Sequence, residues 1–259
     1  MSEKKCKRKS LLKAAMGIVL AVTVSVASAS CGSTSGAKDG GTLKSVNDLK
    51  SVSELSVGQH VTFGVYEQDD DSSNGAEPVE WRVLAVEDDK ALLITEKLLD
   101  CVQYNETAEP VTWETCTLRK WMNENFYQTV FTAEEQGKIA SVTNVNPDNP
   151  EYGTAGGNDT VDKVFALNVE EAKKYFLSDE DRKAYTTEYS RVNGYDASYY
   201  VDEDGNALDI GQVGTWQLRT PGESDELNTG VSWYGEIWYL GDAVDYLNMP
   251  VRPAVWIVL

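Results

Sequence analysis

Histidine is almost absent from this sequence of 259 residues, and the shortage limits the chemistry available to the chain. His60 is the single imidazole, so a zinc site built from several histidines is excluded. A Ser-His-Asp triad would have to form around this one residue, which follows Gly58 at the start of a predicted strand. No catalytic residue is assigned from this pattern, and an enzyme is the less favoured class of function.

Cysteine is also scarce, with four residues in the chain. Cys6 and Cys31 lie near the N-terminus, which leaves Cys101 and Cys116 for the remainder. In an exported protein Cys101 and Cys116 could form one disulfide that closes a short loop. The alternative is two separate buried thiols, since free cysteine packs as a small hydrophobe. The sequence leaves both interpretations open.

Long hydrophobic runs are missing except near the N-terminus, where the pattern is that of an export signal. A basic head ends at Lys13, and the apolar stretch 14–29 would form about 24 Å of helix, shorter than a bilayer core of about 30 Å. The letters SASC, ending at Cys31, resemble a bacterial lipobox and predict a lipoprotein signal peptide over residues 1–30 with lipidation at Cys31. The letters ASA, ending at Ala29, offer a cleavage site for ordinary secretion instead.

These features predict an exported bacterial protein. Lipidation at Cys31 would hold the chain on the outer face of the cytoplasmic membrane, whereas the alternative cleavage would release it as a secreted protein. Residues 31–53, rich in Gly, Ser, Lys and Asp, are predicted to form a flexible tether.

Positive charge is in short supply, with 23 basic against 42 acidic residues and a net charge of −19. Removal of residues 1–30, which carry six basic residues and Glu3, would take the net charge to −24. Nucleic acid and anionic lipid carry the same sign and are therefore disfavoured as partners. The predicted partners are the membrane through the lipid anchor, and an extracellular glycan or a surface protein.

Residues 54–259 are predicted to form a single α+β domain, in which a mainly antiparallel sheet carries inserted helices. VEWRVLAV and ALLIT predict a hairpin, and VSWYGEIWYL and VRPAVWIVL predict later strands. TLRKWMNENF has apolar residues on one helical face, with Thr115 or Thr117 as its cap. TAEE and NVEE, which begin at Thr132 and Asn168, are capping boxes that open further helices.

Two acidic segments are candidates for calcium, the one cofactor that the sequence suggests. DDDSSNG offers oxygens from Asp69 to Asn74, and DEDGN offers Asp202, Asp204 and Asn206. Neither segment has the twelve-residue spacing with a terminal glutamate that defines an EF-hand loop. Asp-Gly is also an ordinary hairpin tip that needs no metal.

Aromatic residues are concentrated near the C-terminus, where residues 185–246 hold eight of the 13 tyrosines and three of the seven tryptophans. In a strand, adjacent side chains point to opposite faces, so one of Trp233 and Tyr234 and one of Trp238 and Tyr239 should face outward. These four residues are the predicted ligand-binding residues. Exposed Trp and Tyr suit the C–H faces of sugars, although all four could instead serve the core.

Carboxylates are too numerous for a pair to identify an active site from sequence. Glu80, beside Trp81 in an apolar run, is the one whose setting could raise its pKa. An ion pair with Arg82, Arg219 or Arg252 is the competing interpretation, and the favoured one. A hydrolase that uses a carboxylate pair is therefore an alternative function. An adhesive module that contacts protein is another.

Four segments in order, TWETCTLRKWMNENF, NPEYGTAGGNDTVDKVFAL, WQLRTPG and VRPAVWI, resemble the family called domain of unknown function 6273, from surface and secreted proteins of Firmicutes. The resemblance runs from about Val57 to the C-terminus. The family is distantly similar to the C-type-lectin-like and formylglycine-generating-enzyme folds, which implies a twisted antiparallel sheet with helices. It does not imply the oxidase activity, because those enzymes use a cysteine pair late in the chain. The resulting expectation is a cell-surface lipoprotein of a Gram-positive bacterium, with a non-catalytic domain whose predicted ligand is a glycan.

Overall fold

The computed structural model describes residues 42–196 and 212–259, which contain many short strands and a few helices. The strands are β1 (Lys44–Ser45), β2 (His60–Tyr66), β3 (Glu77–Val86), β4 (Lys90–Thr95), β5 (Lys97–Leu98), β6 (Asp100–Cys101), β7 (Val142–Asn144), β8 (Thr160–Asp162), β9 (Val164–Phe165), β10 (Ala184–Thr186), β11 (Val213–Gly214), β12 (Trp216–Pro221), β13 (Leu227–Val231), β14 (Ile237–Ala243), β15 (Pro250–Val251) and β16 (Ala254–Val258). The α-helices are α1 (Thr117–Trp121), α2 (Tyr127–Val130), α3 (Ala133–Gln136), α4 (Val169–Tyr175), α5 (Asp179–Arg182) and α6 (Glu188–Val192). A π-helical segment, Met122–Phe126, joins α1 to α2. This mixture confirms the α+β class.

The largest sheet has six strands in the order β1-β2-β3-β4-β16-β9. The predicted hairpin forms as β3 and β4, and the C-terminal strand β16 lies between β4 and β9, antiparallel to both. Pro253 precedes β16, so its missing N–H does not interrupt the ladder. Among the described strands, β1–β2 and β5–β10 are the parallel pairs, so the sheets are mainly antiparallel as expected.

The core is built around this sheet and the helical segment α1–α2. Leu118, Met122 and Phe126, which share one face of the predicted helix, are all fully buried. Trp81 is buried on β3, and its indole nitrogen donates to the Phe63 carbonyl at 2.7 Å, so its one polar group is satisfied. Full burial of each large apolar side chain contributes about 1.5–3 kcal/mol.

The starts of the helices follow local sequence signals with one exception. Both capping boxes form: Thr132 with Glu135 at α3, and Asn168 with Glu171 at α4. The prediction that Thr115 or Thr117 caps α1 is wrong. Cys116 is the cap, because its backbone is extended and its Sγ accepts from the Arg119 N–H at 3.4 Å.

Part of the segment assigned to the tether belongs to the folded unit. Thr42–Leu259 forms one compact unit, so the fold begins at Thr42 rather than at residue 54. Two 3₁₀ turns, Val46–Asp48 and Val52–Glu54, follow β1 and bury Val46 and Val52. These apolar residues join the core, which holds the segment in place.

A second sheet has three strands in the order β12-β13-β14. The prediction of one continuous strand over VSWYGEIWYL is wrong, because the strand β13 ends at Val231 and β14 starts at Ile237. Gly235 has a φ of +94°, a left-handed conformation that ends a strand and lets the chain reverse. The segment is therefore a hairpin with two of its four predicted binding aromatics in the turn.

Arg219 joins this second sheet to helix α4. Its buried guanidinium forms two hydrogen bonds with Glu171, at 2.5 and 3.0 Å, and donates to the carbonyls of Ala166 and Val145. Glu171 also completes the capping box of α4. The Glu171 carboxylate therefore links the start of α4 to Arg219 on β12. Arg219 has a structural role, because it makes this link through charge-assisted hydrogen bonds.

Some predictions lie outside the described residues: the signal peptide 1–30, lipidation at Cys31, and the calcium candidates Asp202, Asp204 and Asn206. Within the ranges 42–196 and 212–259, no helix has the length and apolar character needed to cross a membrane.

Candidate functional site

The turn between β13 and β14 presents Trp233 and Tyr234 at the edge of the second sheet. The Ser232 N–H donates to the Glu236 carbonyl and the Gly235 N–H to the Ser232 carbonyl, both at 2.8 Å. The rings of Trp233 and Tyr234 pack edge-to-face with centroids 5.0 Å apart. Tyr234 is 45% exposed, so the turn displays an aromatic surface.

Helix α5 holds this turn in place through Gly235. Arg182 Nε donates to the Gly235 carbonyl at 2.8 Å, and Arg182 also pairs with Asp179. A Cβ on Gly235 would lie 1.8 Å from the Asp179 carbonyl oxygen, so the turn packs directly on the helix backbone. The aromatic tip is therefore positioned by tertiary contacts and not only by its own hydrogen bonds.

Trp238 and Tyr239 lie on opposite faces of β14, as alternation along a strand requires. Trp238 is 41% exposed and faces the same side as the turn aromatics. Tyr239 is partly buried against the core, and Lys173 Nζ lies 5.0 Å from its ring centroid. Three of the four predicted binding residues are thus brought together, and Tyr239 is separated from them.

A groove of about 530 Å³ opens beside the hairpin, within the range of about 300–1,000 Å³ that is typical of small-ligand clefts. Its described lining residues are Thr215, Ser232, Trp233, Tyr234, Glu236, Ile237, Trp238, Asp242, Ala243 and Tyr246. Four of these side chains are aromatic and two are carboxylates. Flat apolar faces next to hydrogen-bond acceptors make this the candidate functional site.

Asp242 reaches the groove because of a bulge in β14. Gly230 pairs with Trp238 and Asn228 pairs with Asp242, so β14 contains two extra residues in this interval. Gly241, with a φ of +81°, makes the bulge possible, since a Cβ there would lie 2.5 Å from the Asn228 carbonyl oxygen. The bulge places Asp242 in the groove that Trp238 also lines.

The electrostatic setting of Asp242 is unusual for an aspartate. Burial raises the pKa of its carboxyl group above the ordinary value of 3.8. In the described ranges, no side chain donates a hydrogen bond to this carboxylate, and none of the described lining residues is basic. The groove therefore has negative character that its own described residues do not neutralise.

Cys101 and Cys116 are two separate buried thiols, which was the alternative to a disulfide. The possible disulfide between Cys101 and Cys116 is not formed, because both residues are free and buried. The Cys101 thiol donates to the Ser190 carbonyl at 3.3 Å, and Cys116 caps α1. Burial raises the pKa of both thiols, which makes them poor nucleophiles.

His60 lies far along the chain from the groove residues and pairs with a carboxylate. His60 Nδ1 is 2.6 Å from Glu80 Oε1, and this hydrogen bond raises the pKa of the imidazole above 6.5. Two of the arginines suggested as partners of Glu80 pair with other carboxylates: Arg82 with Glu96 at 2.7 Å, and Arg219 with Glu171. Glu80 thus has a histidine partner, and neither residue lines the aromatic groove.

The acidic loop after β2 brings three carboxylates together. Glu67, Asp69 and Glu77 have oxygens within 4.8 Å of one another. Within the loop, Asn74 donates to Asp69 at 2.8 Å and the Asp71 N–H donates to Asp69 at 3.0 Å. Asp69 therefore also accepts hydrogen bonds from within the loop, as aspartates in turns commonly do, and calcium at this loop stays a prediction.

Sequence reasoning missed Glu236, Asp242 and Tyr246, which complete the groove. The sequence contained a signal for Asp242, because Trp238, Leu240 and Asp242 occupy every second position of β14 and such positions share one face of a strand. The two extra residues of the bulge could not be read from that alternation, and neither could the position of Tyr246 beyond the strand.

Comparison with known proteins identifies a family. The model of the family described as "Domain of unknown function (DUF6273)" matches residues 88–259, about two thirds of the chain, and this span contains the whole described groove. No curated protein and no solved structure was found to match the chain.

Proposed function

We propose that this chain, which belongs to the DUF6273 family, binds glycans in the aromatic groove. The observation that carries the proposal is the position of Trp238 and Tyr234, which line one groove and are 41% and 45% exposed. Exposed apolar residues that cluster in one groove, unlike single scattered ones, mark binding sites on protein surfaces. The C–H faces of sugar rings are suited to such flat apolar surfaces.

The polar lining of the groove complements this interpretation. Asp242 and Glu236 supply carboxylate oxygens, and Ser232 supplies a hydroxyl group. Sugar hydroxyls donate to carboxylates, and such charge-assisted hydrogen bonds are stronger than neutral ones. Aromatic faces provide affinity in this arrangement, while the acceptors select the orientation of the sugar.

The wider proposal is a cell-surface lipoprotein, anchored through Cys31, that displays a C-type-lectin-like domain. The SASC letters support the anchor, and the mainly antiparallel sheets with inserted helices are compatible with a lectin-like fold. Export would place the groove where extracellular glycans are present.

The test is thermal melting of the full chain, purified in detergent, against a panel of soluble neutral oligosaccharides. A glycan at one hundred times its dissociation constant stabilises the folded state by about 2.7 kcal/mol, a shift that melting detects. The panel is run with calcium and again with a chelator, because calcium is a predicted cofactor. Loss of the shift in chelator would support calcium at the site.

A matched pair of variants assigns the binding to the groove. Tyr234→Ala removes a groove tyrosine that is 45% exposed, and Tyr152→Ala removes a tyrosine that is 44% exposed and does not line the groove. We expect Tyr234→Ala, Trp233→Ala and Trp238→Ala each to weaken binding about fivefold, the value of about 1 kcal/mol of ring stacking. Equal effects of Tyr234→Ala and Tyr152→Ala would remove the groove from the proposal.

A carboxylate-dependent glycoside hydrolase is the second candidate function. It is favoured by the presence of Asp242, whose pKa is raised, in the same groove as Glu236. Such enzymes use one carboxylic acid to protonate the leaving group and a second carboxylate on the other side of the bond. Release of reducing ends from the panel sugars, abolished by Asp242→Asn, would support hydrolysis over binding alone.

A further inference from the structure

We infer that the preferred occupant of the groove is a sugar that carries a free, protonated amine, and that Asp242 accepts hydrogen bonds from its ammonium group. The inference rests on the proposed glycan binding and names the class of sugar.

The charges of the groove favour a cationic ligand. Asp242 and Glu236 are the charged residues among the described lining of the groove, and both are acidic. An anionic sugar would meet two like charges, and a neutral sugar would leave both carboxylates without a counter-charge. A cationic sugar pairs with them and removes the cost of keeping Asp242 charged in a partly buried position.

The aromatic rings of the groove favour a ligand that is both cationic and partly apolar. Trp238, Tyr234, Trp233 and Tyr246 line the same groove as Asp242. A cation over an aromatic face is attracted by the ring quadrupole, and the rings also cover the C–H face of the sugar. The groove therefore suits a ligand with both an apolar face and a positive charge, which describes an amino sugar better than a simple amine or a neutral sugar.

The pH dependence of binding follows from the groups that face Asp242. Glu236, Tyr234 and Tyr246 are the other titratable groups among the described lining, while β13 contributes none and Thr215 and Ser232 are neutral. Binding requires ionised Asp242 and a protonated amine. Affinity should fall at acidic pH as Asp242 protonates, and at alkaline pH as the amine loses its proton. A quaternary trimethylated amine, which keeps the charge but has no N–H to donate, should bind more weakly, and its remaining affinity should fall at acidic pH only.

The experiment compares two probes that differ only in the acetylation of their three amino groups: the β-1,4-linked trimer of N-acetylglucosamine and its fully deacetylated counterpart. Titration calorimetry on the full chain at pH 6 and physiological salt measures both affinities. We expect the deacetylated trimer to bind about tenfold more tightly, and Asp242→Asn to remove that preference. Asp88→Asn is the matched control, because it removes the same charge from an exposed turn outside the groove.

The control is needed because an acidic chain attracts any cation. An equal loss in Asp242→Asn and Asp88→Asn would overturn the inference and assign the preference to net charge. Equal binding of the two trimers, sensitive to Trp238→Ala, would overturn the inference and leave the proposed glycan binding in place. If neither trimer binds and the neutral panel also fails, both proposals are wrong.

Discussion

The groove around Asp242 and the buried cluster around Asp162 each shield a carboxylate from water, Asp242 in part and Asp162 fully, but in the described part of the chain only Asp162 is given side-chain donors. Asp162 on β8 is fully buried and accepts from four side chains: Arg119 at 2.5 Å, Thr160 at 2.7 Å, Asn144 at 2.9 Å and Trp113 at 3.1 Å. Asp242 on β14 receives no side-chain hydrogen bond within the described ranges, and its pKa is raised by burial.

The difference separates a structural carboxylate from a candidate functional one. Donors around Asp162 replace the hydration that burial removes, so the charge stabilises β7, β8 and α1 together. Asp242 loses hydration without that replacement, which has a cost in folding free energy. Sites that bind ligands often carry such a cost, because the ligand supplies the missing partner.

The largest effect that this comparison predicts is the loss of the Asp162 charge. Asp162→Asn replaces one acceptor oxygen with an amide group that must face donors, and it leaves Arg119 without its anion. We expect a loss of about 3 kcal/mol in the free energy of unfolding, or a fall of about 6–12 °C in melting temperature. Asp159→Asn, the same change at an exposed position, should have little effect. Similar melting temperatures for the two variants would contradict the structural role.

A smaller loss in the free energy of unfolding is expected from a substitution in the turn that packs on α5 and carries the groove aromatics. Gly235→Ala places a Cβ against the Asp179 carbonyl oxygen and imposes a left-handed φ on alanine, at a cost of about 2 kcal/mol. Gly75→Ala is the control, since its φ of +87° is similar and nothing lies within 4 Å of the added Cβ. The difference in melting temperature between the two isolates the contact with α5. Only Gly235→Ala should also weaken glycan binding, because it moves Trp233 and Tyr234.

Some features of the fold and of the groove could be predicted from the sequence, because they depend on residues that are close together in the chain. The capping boxes at Thr132 and Asn168 were predictable because each depends on residues three positions apart. Strand alternation predicted that one of Trp238 and Tyr239 faces outward, and the structure shows that it is Trp238. These features are local, and local patterns are what a single sequence shows most directly.

The rest of the site depends on contacts between distant residues. The bulge that places Asp242 requires Gly241 to approach the Asn228 backbone, and the turn at Gly235 is fixed by Asp179, more than 50 positions earlier. Similarly, the four donors to Asp162 come from separate segments. Neither the satisfied nor the unsatisfied carboxylate could be identified before the chain was folded.

A gain in stability is expected when the unsatisfied charge is removed. The folded-state pKa of Asp242 lies above 3.8, so its ionised form destabilises the fold above that pKa, and the penalty disappears as pH falls through it toward 3.8. Asp242→Asn should therefore raise the melting temperature by about 1–2 °C at pH 7, with the gain shrinking in acid. Asp88→Asn controls for the net charge. A lower melting temperature for Asp242→Asn would show that the carboxylate has a stabilising partner.

The smallest effect on stability is expected for His60 and Glu80, whose side chains are 31% and 34% exposed. Unlike Asp242, each has a hydrogen-bond partner, but unlike Asp162 neither is fully buried. The hydrogen bond to Glu80 raises the pKa of His60 above 6.5, although desolvation opposes it. The pair therefore stabilises the fold below about pH 6.5, and this contribution is lost as pH rises through the folded-state pKa. His60→Gln should cost about 0.5 kcal/mol at pH 5.5 and less at pH 8, measured by denaturant unfolding. In a Glu80→Gln background the dependence on pH should be weaker. A cost that grows with pH would mean that desolvation outweighs the partner, and the pair would then resemble Asp242 rather than Asp162.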